Sequence, residues 1–109
     1  ETLNNLEAII QSITHDYPLT EIKLLSILPV NEGEEYKQTV YIRTNEKIQK
    51  WNQAYQELAS AYMQVEFVPV FDSLTDQAGQ LKKDYTTDGL HLSVAGYQVL
   101  SKALKDYLF

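Results

Sequence analysis

The 109-residue sequence contains no cysteine, which excludes both a disulfide framework and a thiolate-bound metal. A chain without cysteine fits a reducing compartment, so a cytoplasmic location is expected. No apolar run approaches the ~20 residues that a membrane-spanning helix requires, so no membrane span is expected.

Basic residues are scarce. Nine Lys and Arg stand against fifteen Asp and Glu, giving a formal net charge of −6. A nucleic acid or an anionic membrane needs a basic face, and no run of Lys or Arg supplies one. We therefore expect no nucleic-acid partner. The hydrophobic fraction of 44% is that of an ordinary globular chain, and the length suits one small domain.

Apolar residues recur at helical or strand spacing in five segments, in the order helix, strand, helix, strand, helix. The first helix is predicted over 2–14 and ends before Tyr17-Pro18, because a residue preceding proline is pushed out of the α region. Nearly unbroken apolar runs predict strands over 22–28 and 65–71, the second weakened by Pro69, which cannot donate to a central ladder.

The two later helices are predicted from residues spaced three and four apart. The stripe of the second helix comprises Ile48, Trp51, Tyr55, Leu58 and Tyr62. The stripe of the last helix comprises Tyr97, Leu100, Leu104 and Leu108, and Ser93 is expected to cap it. Residues 31–44 and 72–92 are predicted to be loops. Trp51 and most of the eight tyrosines fall on the apolar helix faces, so we expect them to pack in the core.

Alternating helices and strands favour βαβ crossovers, and hence a parallel sheet with helices on its faces. Two strands alone make a marginal sheet, because three or more are normally needed for independent stability. Three amphipathic helices around two strands also leave apolar faces uncovered. We therefore predict an α/β fold of which this chain is one part. Because the chain opens at Glu1 rather than at methionine, we expect it to be a piece of something longer.

The segment Asp88-Gly89-Leu90-His91 has the clearest chemical signature. A carboxylate three residues before a histidine, in a loop with glycine, can fold back onto one imidazole nitrogen and fix the tautomer. The other nitrogen is then free to accept a proton from a hydroxyl. The structural alternative is that Asp-Gly forms a common turn and that His91, beside a helix start, is simply packed or solvated.

The stretch from Asp88 to Tyr97, which reads DGLHLSVAGY, resembles the last sequence block of the SGNH (GDSL-type) ester hydrolases. Residues 24–30 (LLSILPV) resemble the strand and proline loop that precede the substrate cleft in that family, and residues 65–72 resemble the strand leading into its D-x-x-H block. One branch of the family contains the platelet-activating-factor acetylhydrolase catalytic subunits and carries the pattern R-x-N-x-x-I-x-x-x-N. This sequence resembles that pattern at Arg43, Asn45, Ile48 and Asn52.

The resemblance implies a three-layer, flavodoxin-like α/β fold with a parallel sheet, in which residues 1–109 are the C-terminal part of a single domain. It implies hydrolysis of a carboxylic ester through an acyl-serine, with Asp88 orienting His91 and His91 acting as general base and then acid. Pro29, Val30 and Leu90 are the candidates for lining the pocket. A small-molecule ester is the expected substrate, and neither a metal nor an organic cofactor is implied.

The nucleophilic serine and the oxyanion-hole glycine and asparagine of that family have no counterpart in this sequence. The six serines are poor substitutes: Ser12, Ser60 and Ser101 fall on predicted helices, Ser26 lies in a strand, Ser73 lacks nucleophile-elbow glycines, and Ser93 is a helix cap. We therefore expect the missing N-terminal half as a partner and no activity from this chain alone, with homo-oligomer formation left open. The rival interpretation is a non-catalytic α/β interaction domain, or a degenerate family member.

Three other polar residues have more than one interpretation. His15, beside Asp16 at the end of the first helix, is interpreted as structural, since a cationic histidine is favoured at a helix C-terminus. No ligand spacing joins it to His91, so no metal site is predicted. Asn45 and Asn52 either hydrogen-bond to loops beside the cleft or are exposed polar positions on a helix.

Overall fold

The computed structural model of the chain describes residues 2–108, which form four α-helices and a two-stranded parallel sheet. The strands are β1 (Ile22–Leu25) and β2 (Val65–Val68). The helices are α1 (Thr2–Asp16), α2 (Lys37–Val40), α3 (Asn45–Ser60) and α4 (Val94–Leu108). Short 3₁₀ helices occupy Glu34–Tyr36, Asp72–Leu74 and Lys83–Tyr85. No helix within the described range is long and apolar enough to cross a membrane.

The sheet pairs β1 with β2 in parallel, with Ile22 opposite Val65 and Leu25 opposite Val68. This confirms the predicted α/β class with a parallel sheet. Both strands are shorter than predicted. Past β1, the N–H and C=O of Ile27 are bonded to the side chain of Asn52 rather than to a strand. Past β2, Pro69 has no N–H to donate.

Helices α3 and α4 each begin just after a residue whose hydroxyl caps the first turn. Thr44 Oγ1 accepts a hydrogen bond from the Lys47 N–H at 3.2 Å, at the start of α3. Ser93 Oγ accepts from the Gly96 N–H at 3.2 Å, as predicted for the start of α4. Tyr62 lies beyond the end of α3, so its assignment to that helix was wrong.

Half of the segment predicted as a polar loop, 31–44, is helical, since it contains Glu34–Tyr36 and α2. The prediction was wrong because acidic residues mask an apolar pair four residues apart. Tyr36 and Val40 belong to one apolar cluster with Val30 and other core residues. The second predicted loop, 72–92, likewise contains two 3₁₀ helices.

The expectation that the aromatic residues pack in the core was wrong for several of them. Trp51 on α3 is 42% exposed and Tyr97 on α4 is 60% exposed. Tyr17 and Tyr41 are also exposed. Among residues 2–108 the buried core is aliphatic instead, with Phe71 as its single aromatic. Its hydrophobic members there are Ile10, Val30, Val40, Ile48, Ala59, Val68, Val70, Phe71, Leu74 and Leu81.

Candidate active site

The predicted chemical residues lie in a closed loop, residues 86–92, between the third 3₁₀ helix and α4. Thr86 and Leu92 form an antiparallel bridge at its ends, and Ser93 N–H donates to the Tyr85 carbonyl at 2.8 Å. Inside the loop, Gly89 has a φ of +83°, a conformation that side chains rarely adopt. The loop is therefore a defined turn rather than a flexible connection.

Asp88 and His91 meet within this loop. Asp88 Oδ2 lies 2.6 Å from His91 Nδ1. Asp88 Oδ1 accepts the main-chain N–H groups of Leu90 at 2.9 Å and of His91 at 2.8 Å. The His91 side chain is 73% exposed, whereas that of Asp88 is 32% exposed. The three-residue spacing thus produces the side-chain contact that the sequence analysis expected.

The hydrogen bonds decide the charge state of Asp88. The His91 imidazole, followed by the main-chain N–H groups of His91 and Leu90, holds the pKa of the Asp88 carboxyl well below its usual range. An ionised carboxylate can only accept hydrogen bonds, so Nδ1 of a neutral His91 carries the proton. The lone pair is then on Nε2, as a general base requires.

The 86–92 loop is supported from the connection that follows β1. Asn31 N–H donates to the Gly89 carbonyl at 2.9 Å. The buried Asn31 side chain donates to the Leu81 carbonyl at 2.8 Å and accepts from the Gly33 N–H at 2.9 Å. A Cβ on Gly89 would lie 2.5 Å from Cβ of Tyr36, so this position has no room for a larger residue.

Two of the three predicted pocket residues, Val30 and Leu90, share one apolar cluster, and Pro29 precedes Val30 in the chain. Pro29 and Val30 are buried, and Leu90 is half-buried against the cluster that contains Val30 and Phe71. The structure therefore brings Leu90 and Val30 into one apolar cluster. Their contact with a substrate remains a prediction.

Asn45 and Asn52 hold the same connection from α3. Asn45 Oδ1 accepts from the Val30 N–H at 2.8 Å, and its Nδ2 donates to the Val30 carbonyl at 2.7 Å. Asn52 makes the equivalent pair with Ile27, at 2.6 and 3.1 Å. Both asparagines are buried, so the exposed-position alternative was wrong. These two side chains act as clamps on the main chain beside Leu90.

Sequence reasoning missed the residues that brace the loop. Thr86 Oγ1 donates to the His91 carbonyl at 2.6 Å and accepts from the Gly89 N–H at 2.9 Å. A signal was present, because Thr and Asn favour local side-chain bonds to main chain in turns, and Thr86 and Asn31 each precede a glycine by two or three residues. Which main-chain group each would bind was not readable from the sequence.

Ser93, the serine nearest to His91 in the sequence, uses its hydroxyl elsewhere. Its Oγ donates to the Asp84 carbonyl at 3.0 Å while accepting from Gly96. Ser26 is buried, and its Oγ accepts from the Val70 N–H. Both hydroxyls have structural partners.

Comparison with known proteins identifies relatives of this chain. Residues 1–99 match the model of the GDSL-like Lipase/Acylhydrolase family. A search of curated proteins gave no match. A solved Streptococcus pneumoniae structure, described as a "putative platelet activating factor", is 87% identical with a TM-score of 0.96, over 98% of this chain and 50% of its own.

Two further solved structures share the fold at low identity. A "putative acylhydrolase" from Bacteroides fragilis is 20% identical with a TM-score of 0.76, over 97% of this chain and 49% of its own. A GDSL-like lipase from Bacteroides thetaiotaomicron is 22% identical with a TM-score of 0.67, over 96% and 51%. This chain thus spans about half the length of the solved chains that it matches.

Proposed function

Because the chain belongs to the GDSL-like lipase/acylhydrolase family, we propose that it carries the acid–base pair of a serine ester hydrolase. The observation that carries this proposal is the 2.6 Å contact between Asp88 Oδ2 and His91 Nδ1. An ionised carboxylate on Nδ1, with an exposed imidazole, is the arrangement in which Nε2 can accept a proton from a hydroxyl. The serine and the oxyanion donors are proposed to lie in the rest of the domain, of which residues 1–109 would be the C-terminal part.

The proposed reaction uses His91 twice. Nε2 takes the proton of the serine hydroxyl while the serine oxygen bonds to the carbonyl carbon of the ester. The imidazolium, stabilised by Asp88, then gives that proton to the departing alcohol as the ester C–O bond breaks. Water enters next and loses a proton to the same nitrogen while its oxygen bonds to the acyl carbon. The imidazolium then returns that proton to the serine oxygen as the acyl C–O bond to serine breaks, which releases the acid and the free serine.

Esters with short acyl groups are the proposed substrates, on a lipid, a sugar or another small molecule. Leu90 is only half-buried and adjoins His91 in the sequence, which supports its place in the wall of the pocket. Val30 lies in the same apolar cluster, and Pro29 precedes it. We propose that these three residues form the apolar side of the acyl site.

The proposal is tested in the full-length protein with p-nitrophenyl acetate. His91→Ala should lower turnover by about 10⁴-fold, and Asp88→Asn should lower it less, because the imidazole stays in place with a disturbed tautomer. His15→Ala is the matched control, since that histidine is exposed at the end of α1 and should not affect turnover. Unchanged turnover in His91→Ala would exclude the mechanism. Fluorophosphonate labelling separates an esterase from a relative that keeps Asp88 and His91 for structure only.

This chain by itself should hydrolyse no ester above background. A general base has no function without its nucleophile, and oxyanion donors worth ~3–4 kcal/mol of barrier lowering are also missing. Adding the separately prepared N-terminal half should restore hydrolysis if the two halves associate. Activity of the purified chain, abolished by a serine-directed inhibitor, would contradict this expectation and direct attention to Ser73 or Ser93.

A further inference from the structure

We propose that Thr86 is the positioning residue of the Asp88–His91 pair, and that its hydroxyl rather than its methyl group performs this task. The assignment rests on the proposed function, since it gives Thr86 a role in the same reaction. Thr86 touches neither the reacting atoms nor the His91 ring nitrogens in the contacts described above. It acts through the main chain of the loop.

The hydroxyl of Thr86 spans the interior of the 86–92 loop. It donates to the carbonyl of His91 at 2.6 Å and accepts from the N–H of Gly89 at 2.9 Å. The residue is only 5% exposed, so water cannot easily replace it in these contacts. One side chain therefore binds both sides of the turn that contains Asp88 and His91.

These contacts fix the direction of the His91 side chain. The N–H of His91 is held by Asp88 Oδ1 at 2.8 Å, and its carbonyl is held by Thr86. With both peptide groups flanking its Cα restrained, the Cα–Cβ bond of His91 has a fixed direction, from which the imidazole reaches Asp88 Oδ2 at 2.6 Å. The far side of the turn is restrained by Gly89, whose N–H is bonded to Thr86 and whose carbonyl is bonded to Asn31.

Loss of the hydroxyl should loosen the pair without removing either member. The His91 carbonyl and the Gly89 N–H would both lose a partner, and the turn would relax to find new ones. The Asp88–His91 contact would then lengthen or become intermittent. A displacement of about 1 Å in a reacting group can cost about 100-fold in rate.

The test compares Thr86→Val with Thr86→Ser in the full-length protein. Valine preserves the shape and removes the hydroxyl, whereas serine preserves the hydroxyl and removes the methyl group. Thr86→Val should lower kcat for p-nitrophenyl acetate by about 10- to 100-fold with KM within about twofold, and Thr86→Ser should stay within about threefold of wild type. Thr75→Val is the matched control, because the Thr75 hydroxyl donates to Asp72 in a different loop, and its kcat should not change.

A spectroscopic measurement keeps this inference separate from the proposed function. The proton NMR signal of His91 Nδ1–H, identified by its absence in His91→Ala, should persist in Thr86→Ser and Thr75→Val and weaken or shift in Thr86→Val. If wild type shows the signal but no esterase activity, the proposed function fails while the positioning role is still decided by the signal.

Three results would overturn the positioning role. The first is an unchanged kcat and an unchanged Nδ1–H signal in Thr86→Val. The second is a fall in Thr86→Ser as large as that in Thr86→Val, which would make the methyl group responsible. The third is a Thr86→Val protein that does not fold, because the hydroxyl would then serve the fold rather than the geometry of the pair.

Discussion

At the scale of single residues, Asp88 makes the folding stability of the protein depend on pH. Its carboxylate accepts one bond from the His91 ring and two from main-chain N–H groups, which lowers its pKa in the folded state. In the unfolded chain the carboxyl returns to its ordinary value of 3.8. The stabilisation is therefore fully present above the unfolded pKa and is lost as the pH falls toward the lower, folded pKa.

This linkage predicts how wild type and Asp88→Asn should differ. The urea midpoint of full-length wild type should exceed that of Asp88→Asn at neutral pH, and the gap should shrink progressively below about pH 4. Asp106→Asn, at an exposed position on α4, controls for the loss of a charge and should show little gap at any pH. If the difference in urea midpoint between wild type and Asp88→Asn stayed constant down to strongly acid pH, the three hydrogen bonds to the Asp88 carboxylate would not be stabilising its ionised form.

At the scale of elements, the connection after β1 is held by α3 rather than by the sheet. Asn45 and Asn52 bond both main-chain groups of Val30 and Ile27, respectively. A buried N–H or carbonyl without a partner costs about 1–3 kcal/mol. Removing one asparagine therefore destabilises the fold by more than the net contribution of its two hydrogen bonds, because it also leaves buried main-chain groups unpaired. In the connection that carries Pro29 and Val30, side chains of α3 thus supply hydrogen bonds that a neighbouring strand would otherwise provide.

Removing one clamp should be measurable. Asn45→Ala should lower the free energy of unfolding of the full-length protein by about 2–4 kcal/mol, because it leaves the buried N–H and carbonyl of Val30 with fewer partners. Gln53→Ala, an exposed polar truncation on the same helix, should change it by less than about 0.5 kcal/mol. Chemical denaturation measures both. Equal losses in the two variants would show that the clamp contributes nothing specific.

The sequence predicted the elements that have a clear apolar period and the contact that has a fixed spacing. α1, α3 and α4 followed from their stripes, and Asp88 reaches His91 because three residues of a glycine turn bring them together. Strand ends were missed, because the partner of Ile27 is a side chain 25 residues away. Helix α2 was missed because its single apolar face depends on a contact between Val40 and distant core residues.

At the scale of the whole molecule, the chain is more extended than a complete domain of its size. Its radius of gyration is 15.2 Å, against about 13 Å for a compact domain of this length. Its extents are 45 × 32 × 19 Å. On α4 a groove of about 260 Å³ is lined by Tyr97, Leu100, Ser101, Leu104, Lys105 and Leu108. The stripe of α4 was correctly recognised as apolar, but much of it is left open within the described residues.

The isolated chain should therefore either associate with other copies or have low stability and no cooperative thermal transition. Exposed apolar faces and a two-stranded sheet with open edges favour contacts between copies. Tyr97→Lys should reduce association in sedimentation experiments, whereas Leu19→Lys, at an apolar residue that is 96% exposed outside the groove, should not. A compact wild-type monomer with a cooperative melt would mean that the fold is more complete than its shape suggests.

The hydrogen bonds of Asn45 and Asn52 also affect which positions of the sequence tolerate substitution. Each clamp joins a side chain to a main chain, so the two partners do not tolerate substitution equally. Positions 27 and 30 can exchange one apolar residue for another of similar volume and keep their hydrogen bonds, because every non-proline residue offers the same N–H and carbonyl. Positions 45 and 52 need an amide of one particular length. Apolar substitutions at positions 27 and 30 can therefore accumulate while the hydrogen bonds from α3 that hold this connection are kept.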